Sequence, residues 1–395
     1  MNLPRSFAWI ALGFAACAPA PTTPPSPVLE SDSAPVTSTR TIAPTGGSDA
    51  KSDGTPKDTA ASDVGDGSTA DATSAQTQFL VLRVGSPTSS LTGTTTFATF
   101  IEFRNISDGS LASTLPVSTA ATGGMYPLTL VGLAGEGALS LSYMGHYVSF
   151  AGYDVPITSP AAGVTGATIG SVSVTNGVYK VDTAVVDTNT TGGFGKIWSA
   201  VRYGSEFWVL SERGVDFMDT SASPVTPTRF TVSPTVGELQ IVDGLLYSTD
   251  SPGGIWSAGS TLPTGGAAGS PVWTQYVPEA QTGATIDGFV FVTMAGTVPT
   301  RMYLADWESG LERWNYVGGS WVRSATIYSQ QGVRHVTGFV QNDGVTVTLI
   351  ATTQNGGAIL GFEDDGVSPT LTPSWTQTSS SVNQEQYLGV SLLPQ

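Results

Sequence analysis

The amino-acid sequence predicts an all-β fold, specifically a six-bladed β-propeller, and three observations lead to that prediction. From Gln78 onward, short runs rich in Val, Ile, Thr, Tyr, Phe and Trp alternate with Gly, Asn-Gly, Asp-Gly and Pro, a pattern typical of strands and hairpins. Charged residues make up only 12% of the chain, which disfavours long solvated helices. A hairpin unit also recurs along the chain, and such repetition is typical of propellers and solenoids.

The N-terminal residues 1–17 have the pattern of a lipoprotein signal peptide. Arg5 supplies a positive charge, residues 7–16 form an apolar run too short to span a bilayer, and the small pair Ala15-Ala16 precedes Cys17. Residues 14–17 resemble a bacterial lipobox, in which the cysteine after the cleavage site carries lipid, although Phe14 stands where Leu is usual. Cys17 is the only cysteine, so we predict that it is lipidated. An ordinary signal peptide with an incidental cysteine is the alternative.

Residues 18–77 predict a disordered stalk. Pro, Ser, Thr, Ala, Gly and Asp dominate this segment and it contains no aromatic residue, so it cannot bury enough apolar surface to offset the entropy of ordering. Ala18, the residue after the cysteine, is not acidic, and an acidic residue there is associated with inner-membrane retention in some bacteria. We therefore expect an exported protein that a lipid anchors to the outer membrane or cell surface.

The recurring unit begins with a hairpin of two apolar strands. Five copies are recognisable, with strand pairs at 138–145 and 146–153, 197–204 and 206–210, 238–244 and 245–248, 284–288 and 289–293, and 333–344 and 345–351. Glycine at the turn supplies the positive φ that a tight hairpin needs. Two shorter strands follow, as at 358–362 and 374–377, so the unit has four strands, which is one propeller blade.

The two ends of the region 78–395 supply the sixth blade. Residues 387–393 predict its innermost strand, and 79–84, 97–103 and 111–117 predict the outer three. A blade that joins both ends of the domain leaves no exposed sheet edge, so it closes the ring. Seven blades are the alternative, with the additional unit drawn from 119–170.

Three segments near the C-terminus carry a resemblance to a known family. They are 318–321 (Gly-Gly-Ser-Trp), 332–338 (Gly-Val-Arg-His-Val-Thr-Gly) and 349–353 (Leu-Ile-Ala-Thr-Thr). Together they resemble a family of secreted or surface bacterial β-propeller lipoproteins, most of which have no assigned activity. The resemblance is close over 302–365 and extends to the rest of 78–395 only in the blade pattern. It implies a propeller and export, and it implies no catalytic residue.

Composition argues against several classes of function. The formal net charge of −16 disfavours direct nucleic-acid binding, which depends on cations that meet phosphates. One cysteine and two histidines cannot build a disulfide framework or a Cys/His zinc site, and no G-x-S-x-G, H-E-x-x-H or Walker motif occurs. We expect no cofactor. The acidic segment 363–366 could hold Ca²⁺, but it lacks the ligand spacing of a calcium loop and is interpreted as solvated surface.

Arg334 and His335 lie on a predicted innermost strand and are candidates for lining the central channel. The other histidine, His146, is interpreted as a turn or strand residue. The enzymatic alternative is a carbohydrate-active hydrolase or lyase that uses an acid and base pair of channel carboxylates. The carboxylates considered for that pair are Glu212, Asp216, Asp250, Asp306, Glu308, Glu363, Asp364 and Asp365. A structural role at turns is predicted instead for the aspartates that precede glycine, namely Asp243, Asp287 and Asp343.

The leading prediction is a monomeric, surface-displayed, non-enzymatic binding or scaffold protein whose loops contact a protein or glycan. In a propeller, the loops that join second to third strands and those that join successive blades share one face. Trp307, flanked by Asp306 and Glu308, is the tryptophan expected to be exposed there, while the others are expected in the core. A funnel with convergent carboxylates would favour the enzyme. The residues predicted on the binding face are Glu212, Arg213, Asp250, Trp307, Glu308, Gln330 and Asn355.

Overall fold

The computed structural model describes residues 76–88, 90–132, 135–188, 195–230, 237–250, 253–264, 271–277, 285–294, 298–381 and 383–395. These residues form 24 strands, and among them no helix is long and apolar enough to cross a membrane. Contacts divide the chain into Met1–Gly65 and Asp66–Gln395, and all the described residues belong to the second unit. The predicted signal peptide with Cys17, and the stalk up to residue 75, lie outside the described residues.

The strands form six antiparallel sheets of four strands, which we number as blades with the innermost strand first. Blade 1 comprises β24 (Glu385–Leu392), β1 (Gln78–Gly85), β2 (Thr99–Asn105) and β3 (Leu111–Pro116). Blade 2 comprises β4 (Ser140–Leu141), β5 (Tyr147–Tyr153), β6 (Ala167–Thr175) and β7 (Val178–Asp187). Blade 3 comprises β8 (Ile197–Tyr203), β9 (Glu206–Ser211), β10 (Gly214–Asp219) and β11 (Thr228–Phe230).

The second half of the ring follows the same order. Blade 4 comprises β12 (Leu239–Val242), β13 (Leu245–Asp250), β14 (Gly254–Ala258) and β15 (Trp273–Val277). Blade 5 comprises β16 (Ile286–Val292), β17 (Arg301–Asp306), β18 (Gly310–Val317) and β19 (Ser320–Tyr328). Blade 6 comprises β20 (Val333–Val340), β21 (Val347–Thr353), β22 (Ala358–Asp364) and β23 (Trp375–Thr378). Six blades are confirmed, and the seven-blade alternative is wrong because 119–170 contributes strands to blade 2 only.

The ring closes on itself through blade 1. The C-terminal strand β24 pairs with β1, with Phe79 opposite Leu392 and Val84 opposite Gln386. Strand β24 also contacts β20 of blade 6 and β4 of blade 2. The predicted closure by strands from both ends of the domain is therefore confirmed.

Charged side chains tie the three inner strands of blade 1 together in what we call the blade 1 clasp. Arg83 Nε lies 2.5 Å from Glu102 Oε1, and Arg83 Nη1 lies 2.8 Å from Glu385 Oε1. Arg104 Nη2 lies 2.7 Å from Glu102 Oε2, and the Arg104 guanidinium lies 5.0 Å from the ring centroid of Tyr387. The clasp therefore links β24, β1 and β2 across the point where the ring closes.

The hydrophobic core lies between the faces of neighbouring blades. Tyr303 of blade 5 packs with Leu349 of blade 6, and Phe79 of blade 1 packs with Ile350 of blade 6. Among the described residues, each of the six interfaces has a buried cluster of this kind. Burying a side chain of this size contributes about 1.5–3 kcal/mol, so stability is distributed around the whole ring.

One predicted hairpin is wrong. Residues 286–292 form the single strand β16, and its partner is β17, so no turn occurs at Asp287-Gly288. Gly288 is there for a close approach, since a Cβ added to it would lie 2.9 Å from the His335 Cα. Asp287 is accordingly buried in a strand and does not stabilise a turn. By contrast, Asp243 does occupy its predicted turn, with a positive φ of 49°.

Candidate functional site at the propeller axis

The six innermost strands all begin at the same end of the propeller axis. Because successive strands of a blade run in opposite directions, the loops that join second to third strands and the loops that join blades lie at this end too. Hydrogen bonds connect these loops: the Trp307 amide donates to Thr285 O at 2.9 Å, and the Gln354 amide donates to Gly332 O at 2.9 Å. We call this end the axial mouth.

Five buried polar residues at the axial mouth form what we call the axial cluster. Glu136 precedes β4, Glu238 precedes β12, Asp287 lies in β16, and Arg334 and His335 lie in β20. Each residue is at most 3% exposed. Arg334 interacts electrostatically with both Asp287 and Glu136, while His335 Nδ1 lies 3.8 Å from Glu238 Oε2. These residues come from four blades, so only the closed ring brings them together.

Irregularities in two innermost strands place two members of the cluster. The register of β16 against β17 shifts around Asp287, and the register of β20 against β21 shifts around Arg334. A β-bulge inserts one residue outside the ladder and changes the direction of its side chain. The bulges therefore explain how an acid and a base from neighbouring blades both reach the axis. This placement confirms that Arg334 and His335 lie on an innermost strand, as predicted, although both are buried.

Glu136 is held by neutral donors from its own blade. Its Oε2 accepts hydrogen bonds from the amides of Val131 and Gly132 at 3.1 and 3.2 Å. The Tyr153 hydroxyl donates to Oε1 at 2.7 Å. Burial and the adjacent Glu136 carboxylate raise the pKa of Tyr153, so its hydroxyl stays a donor. Glu136 is thus fixed in place before any ligand could reach it.

Glu238 joins blades 4, 5 and 6. Its Oε1 accepts a hydrogen bond from Gln240 Nε2 at 2.9 Å, and its Oε2 accepts one from the Phe289 amide at 3.3 Å. Gly288 packs beside it, since an added Cβ would lie 3.0 Å from both Glu238 Oε2 and His335 Nδ1. Neither ring nitrogen of His335 makes a hydrogen bond of ordinary geometry to the described residues.

Burial controls the protonation of the axial cluster. It raises the pKa of Glu238 to about 8 and that of Asp287 to about 7, with the Arg334 charge opposing the second shift. Burial and then the Arg334 charge lower the pKa of His335 to about 3. Between those values both Glu238 and His335 are neutral, so their 3.8 Å contact is not an ion pair. At neutral pH the cluster therefore contains carboxyl groups that carry protons.

Trp307 connects the axial cluster to the surface. Its side chain is partly exposed in the turn between β17 and β18, and its ring centroid lies 5.8 Å from the guanidinium carbon of Arg334. Asp306 fixes the turn, because its Oδ1 accepts from the amides of Glu308 and Ser309 at 2.8 and 2.9 Å. The predicted exposure of Trp307 is thus observed in part, and Glu308 beside it is fully exposed.

The other residues predicted on the binding face lie on loops of the axial mouth but have separate surroundings. Glu212 lies 3.7 Å from Lys196 with Arg213 exposed beside it, and Asn355 Oδ1 accepts from the Gly357 amide within its own turn. Gln330 is exposed between β19 and β20. Asp250 ends β13, and its side chain lies outside the described part. Of the sequence-predicted residues, the structure brings together only Trp307, Arg334 and His335 with the axial cluster.

Several carboxylates considered for an acid and base pair have structural partners instead. Asp216 Oδ2 lies 2.6 Å from Arg229 Nη2. Asp364 Oδ1 lies 2.6 Å from Arg313 Nη1, and its Oδ2 accepts from the Tyr303 hydroxyl at 2.6 Å. Asp306 holds the turn at Trp307, as described above. In the described ranges no group of three His, Cys, Asp or Glu residues could hold a metal ion.

Sequence reasoning missed three members of the axial cluster, Glu136, Glu238 and Asp287. A signal for them exists in the repeat, because the start of an innermost strand carries a charged residue in blades 2, 4, 5 and 6. The segments that contain it are Gly-Glu-Gly-Ala-Leu, Gly-Glu-Leu-Gln-Ile, Ile-Asp-Gly-Phe and Val-Arg-His-Val. Aligning the blades at this position would have indicated a shared axial location.

No family model and no curated protein matches the chain. Among solved structures, AofleA from Arthrobotrys oligospora is 12% identical, with a TM-score of 0.41 over 80% of this chain and 90% of that one. A protein from Lactobacillus plantarum is 10% identical, with a TM-score of 0.43 over 81% of this chain and 100% of that one. Hsv2 of Kluyveromyces lactis is 10% identical, with a TM-score of 0.34 over 68% and 69% of the two chains. The resemblance to bacterial propeller lipoproteins stays a prediction.

Proposed function

We propose that this protein is an exported, membrane-anchored binding or scaffold protein whose axial mouth contacts a protein or glycan partner. The observation that carries the proposal is the placement of Trp307, a partly exposed aromatic ring that lies over the buried guanidinium of Arg334. A tryptophan held in one orientation by a cation and by a fixed turn is suited to be an interface anchor, because little side-chain entropy is lost on binding.

The burial of the axial carboxyl groups favours binding over the alternative of polysaccharide hydrolysis or lysis. A glycosidase needs two carboxyl groups that both reach the scissile bond. Glu136, Glu238 and Asp287 are at most 3% exposed, and Glu136 already accepts hydrogen bonds at both oxygens. These groups support the mouth from beneath, and the exposed loops make the contact.

The proposal places the anchor at Cys17. A lipid on this residue would attach the protein to the outer membrane or cell surface, and residues 18–77 would hold the propeller away from the bilayer. In the native host, we expect the full chain to partition into detergent and the Cys17→Ser variant to appear in the soluble fraction. A soluble wild-type protein would contradict the anchor while leaving binding at the mouth unaffected.

Binding at the mouth can be tested with the labelled full chain on a glycan array and on an array of immobilised extracellular proteins. We expect a specific signal on one of the two arrays that Trp307→Ala weakens by about 30-fold, as for an interface hot spot. Tyr143→Ala, which removes an exposed aromatic side chain at the opposite end, is the matched control and should leave the signal unchanged. No signal on either array, or equal signals from both variants, would contradict the proposal.

A further inference from the structure

A second aromatic group lies between blades 4 and 5, away from the axial mouth. We call it the lateral aromatic cluster; it consists of Tyr247, Tyr276, Phe291, Tyr316 and Trp321. Phe291 and Tyr316 come near the ends of strands that start at the axial mouth, while Tyr247 and Trp321 come near the starts of strands that run back towards it. The cluster therefore sits towards the opposite end of the propeller, at the seam between two blades.

The rings form a floor and two walls. Phe291 and Trp321 lie 5.4 Å apart between centroids and make the floor, with Trp321 buried. Tyr316 lies 5.2 Å from Trp321 on one side, and Tyr276 lies 6.5 Å from it on the other. Tyr276 and Tyr316 are each 41% exposed. Two exposed tyrosine rings thus flank one buried indole.

Blade packing does not require this exposure. At the seam between blades 5 and 6, the Tyr328 and Phe362 rings lie 5.2 Å apart, and both residues are at most 4% exposed. In blade 3, Trp208 and Phe217 lie 5.4 Å apart and are likewise buried. Aromatic rings at these positions can therefore be covered by the fold, so the exposed tyrosines of the lateral aromatic cluster need another explanation.

Polar groups lie beside the exposed rings. The pKa of Tyr247 is raised by burial and then by Tyr276 and the Asp243 charge, which places both of these residues near its hydroxyl. Asp243 is exposed in the turn between β12 and β13. The buried indole nitrogen of Trp321 has no hydrogen-bond acceptor among the described residues. A ligand would thus meet apolar ring faces together with a carboxylate, hydroxyl groups and an indole donor.

We propose that the lateral aromatic cluster is a binding site for a neutral sugar ring. The C–H face of a pyranose packs on aromatic rings, and its hydroxyl groups need hydrogen-bond partners around the rim. Tyr276, Tyr316 and Trp321 supply the rings, and Asp243 with the tyrosine hydroxyls supplies the partners. The site is separate from the axial mouth and does not depend on the function proposed there.

The experiment uses the full chain titrated with methyl glycosides of glucose, galactose, mannose and N-acetylglucosamine. Binding is followed by saturation-transfer NMR and by tryptophan fluorescence. We expect at least one glycoside to bind below about 50 mM, and Tyr276→Ala and Tyr316→Ala each to weaken it about tenfold or more, because each removes one stacking face. Asp243→Asn should also weaken binding, through the loss of a charged acceptor.

The controls separate this site from the axial mouth and from misfolding. Trp307→Ala and Tyr143→Ala should leave glycoside affinity unchanged, and Asp243→Asn keeps the test valid if a tyrosine variant unfolds. The proposal is overturned if no glycoside binds, if the tyrosine and Asp243 variants bind as tightly as the wild type, or if Trp307→Ala alone abolishes binding. A protein ligand that competes at Tyr276 and Tyr316 while no glycoside binds would also overturn it.

Discussion

The blade 1 clasp and the axial cluster both hold charged side chains away from water, but they are built differently. In the clasp two arginines meet two glutamates at 2.5–2.8 Å, so the charges balance. In the axial cluster three carboxyl groups share one arginine and an imidazole whose pKa of about 3 keeps it neutral. Balanced charges stabilise each other by pairing, whereas an excess of buried acid has to carry protons. The clasp therefore closes the ring, and the axial cluster supports the mouth in a protonated state.

Removing the closing strand should have the largest effect. Deleting residues 386–395 takes away most of β24, including the buried Tyr387, Leu388 and Val390. Each such side chain contributes about 1.5–3 kcal/mol, against a total stability of about 5–15 kcal/mol for an ordinary domain. We expect the truncated chain to aggregate or to lose its cooperative thermal transition in calorimetry. An unchanged Tm would show that blade 1 does not close the ring.

Breaking the clasp should have the next largest effect. Arg83→Met leaves Glu385 without its partner and Glu102 with one arginine, and breaking a buried pair in this way costs about 3 kcal/mol. Urea denaturation measures the loss. The matched control is Lys196→Met, which breaks the exposed pair with Glu212 and should change stability by less than about 0.5 kcal/mol. Equal effects of the two substitutions would remove the distinction between a clasp and a surface pair.

Crowding the axial cluster should have a smaller effect. In Gly288→Ala the new Cβ would lie 2.9 Å from the His335 Cα and 3.0 Å from Glu238 Oε2, so the strands must separate, at a cost of about 1–3 kcal/mol. The control Gly254→Ala has the end of the Gln275 side chain as its nearest neighbour, at 3.2 Å, and should cost less. The urea midpoints of the two variants provide the comparison, and a fully tolerated Gly288→Ala would contradict the close approach.

The two regions should also respond differently to pH. Because the folded-state pKa values of Glu238 and Asp287 are raised to about 8 and about 7, their protonated forms favour folding. Their contribution is complete below their ordinary values near 4 and is lost as the pH rises through 7 and 8. His335, with its pKa lowered to about 3, destabilises the fold as the pH falls below about 6.5. Stability should therefore be greatest at mildly acidic pH.

Variants separate the contributions to this profile. Glu238→Gln should flatten the alkaline decline measured from the urea midpoint between pH 5 and pH 9, since the amide cannot ionise. Glu102→Gln in the clasp should lower stability at every pH without flattening that decline. If the decline stays equally steep in Glu238→Gln, the acid responsible for it lies outside the axial cluster.

Much of the fold could be predicted from the sequence because blade strands show their alternating burial locally. The pairing of 387–393 with 79–84 followed from two sets of unmatched strands at the ends of one repeat array. The axial cluster could not be found in this way, because Glu136 and His335 are distant in sequence and meet only when the ring closes. Asp287-Gly288 was misinterpreted because a turn and a close approach both favour glycine. Trp307 was identified by its polar neighbours, but nothing local indicated that Arg334 lies beneath it.

Carboxyl-carbon NMR on the full chain, with ¹³C-labelled Asp and Glu, tests most directly the claim that the axial cluster holds protonated acids. The signals can be assigned by their loss in Asp287→Asn and Glu238→Gln. We expect these two carboxyl groups to titrate with midpoints near 7 and 8 respectively. Midpoints near 4 for both groups, the ordinary range of exposed carboxyl groups, would contradict the account.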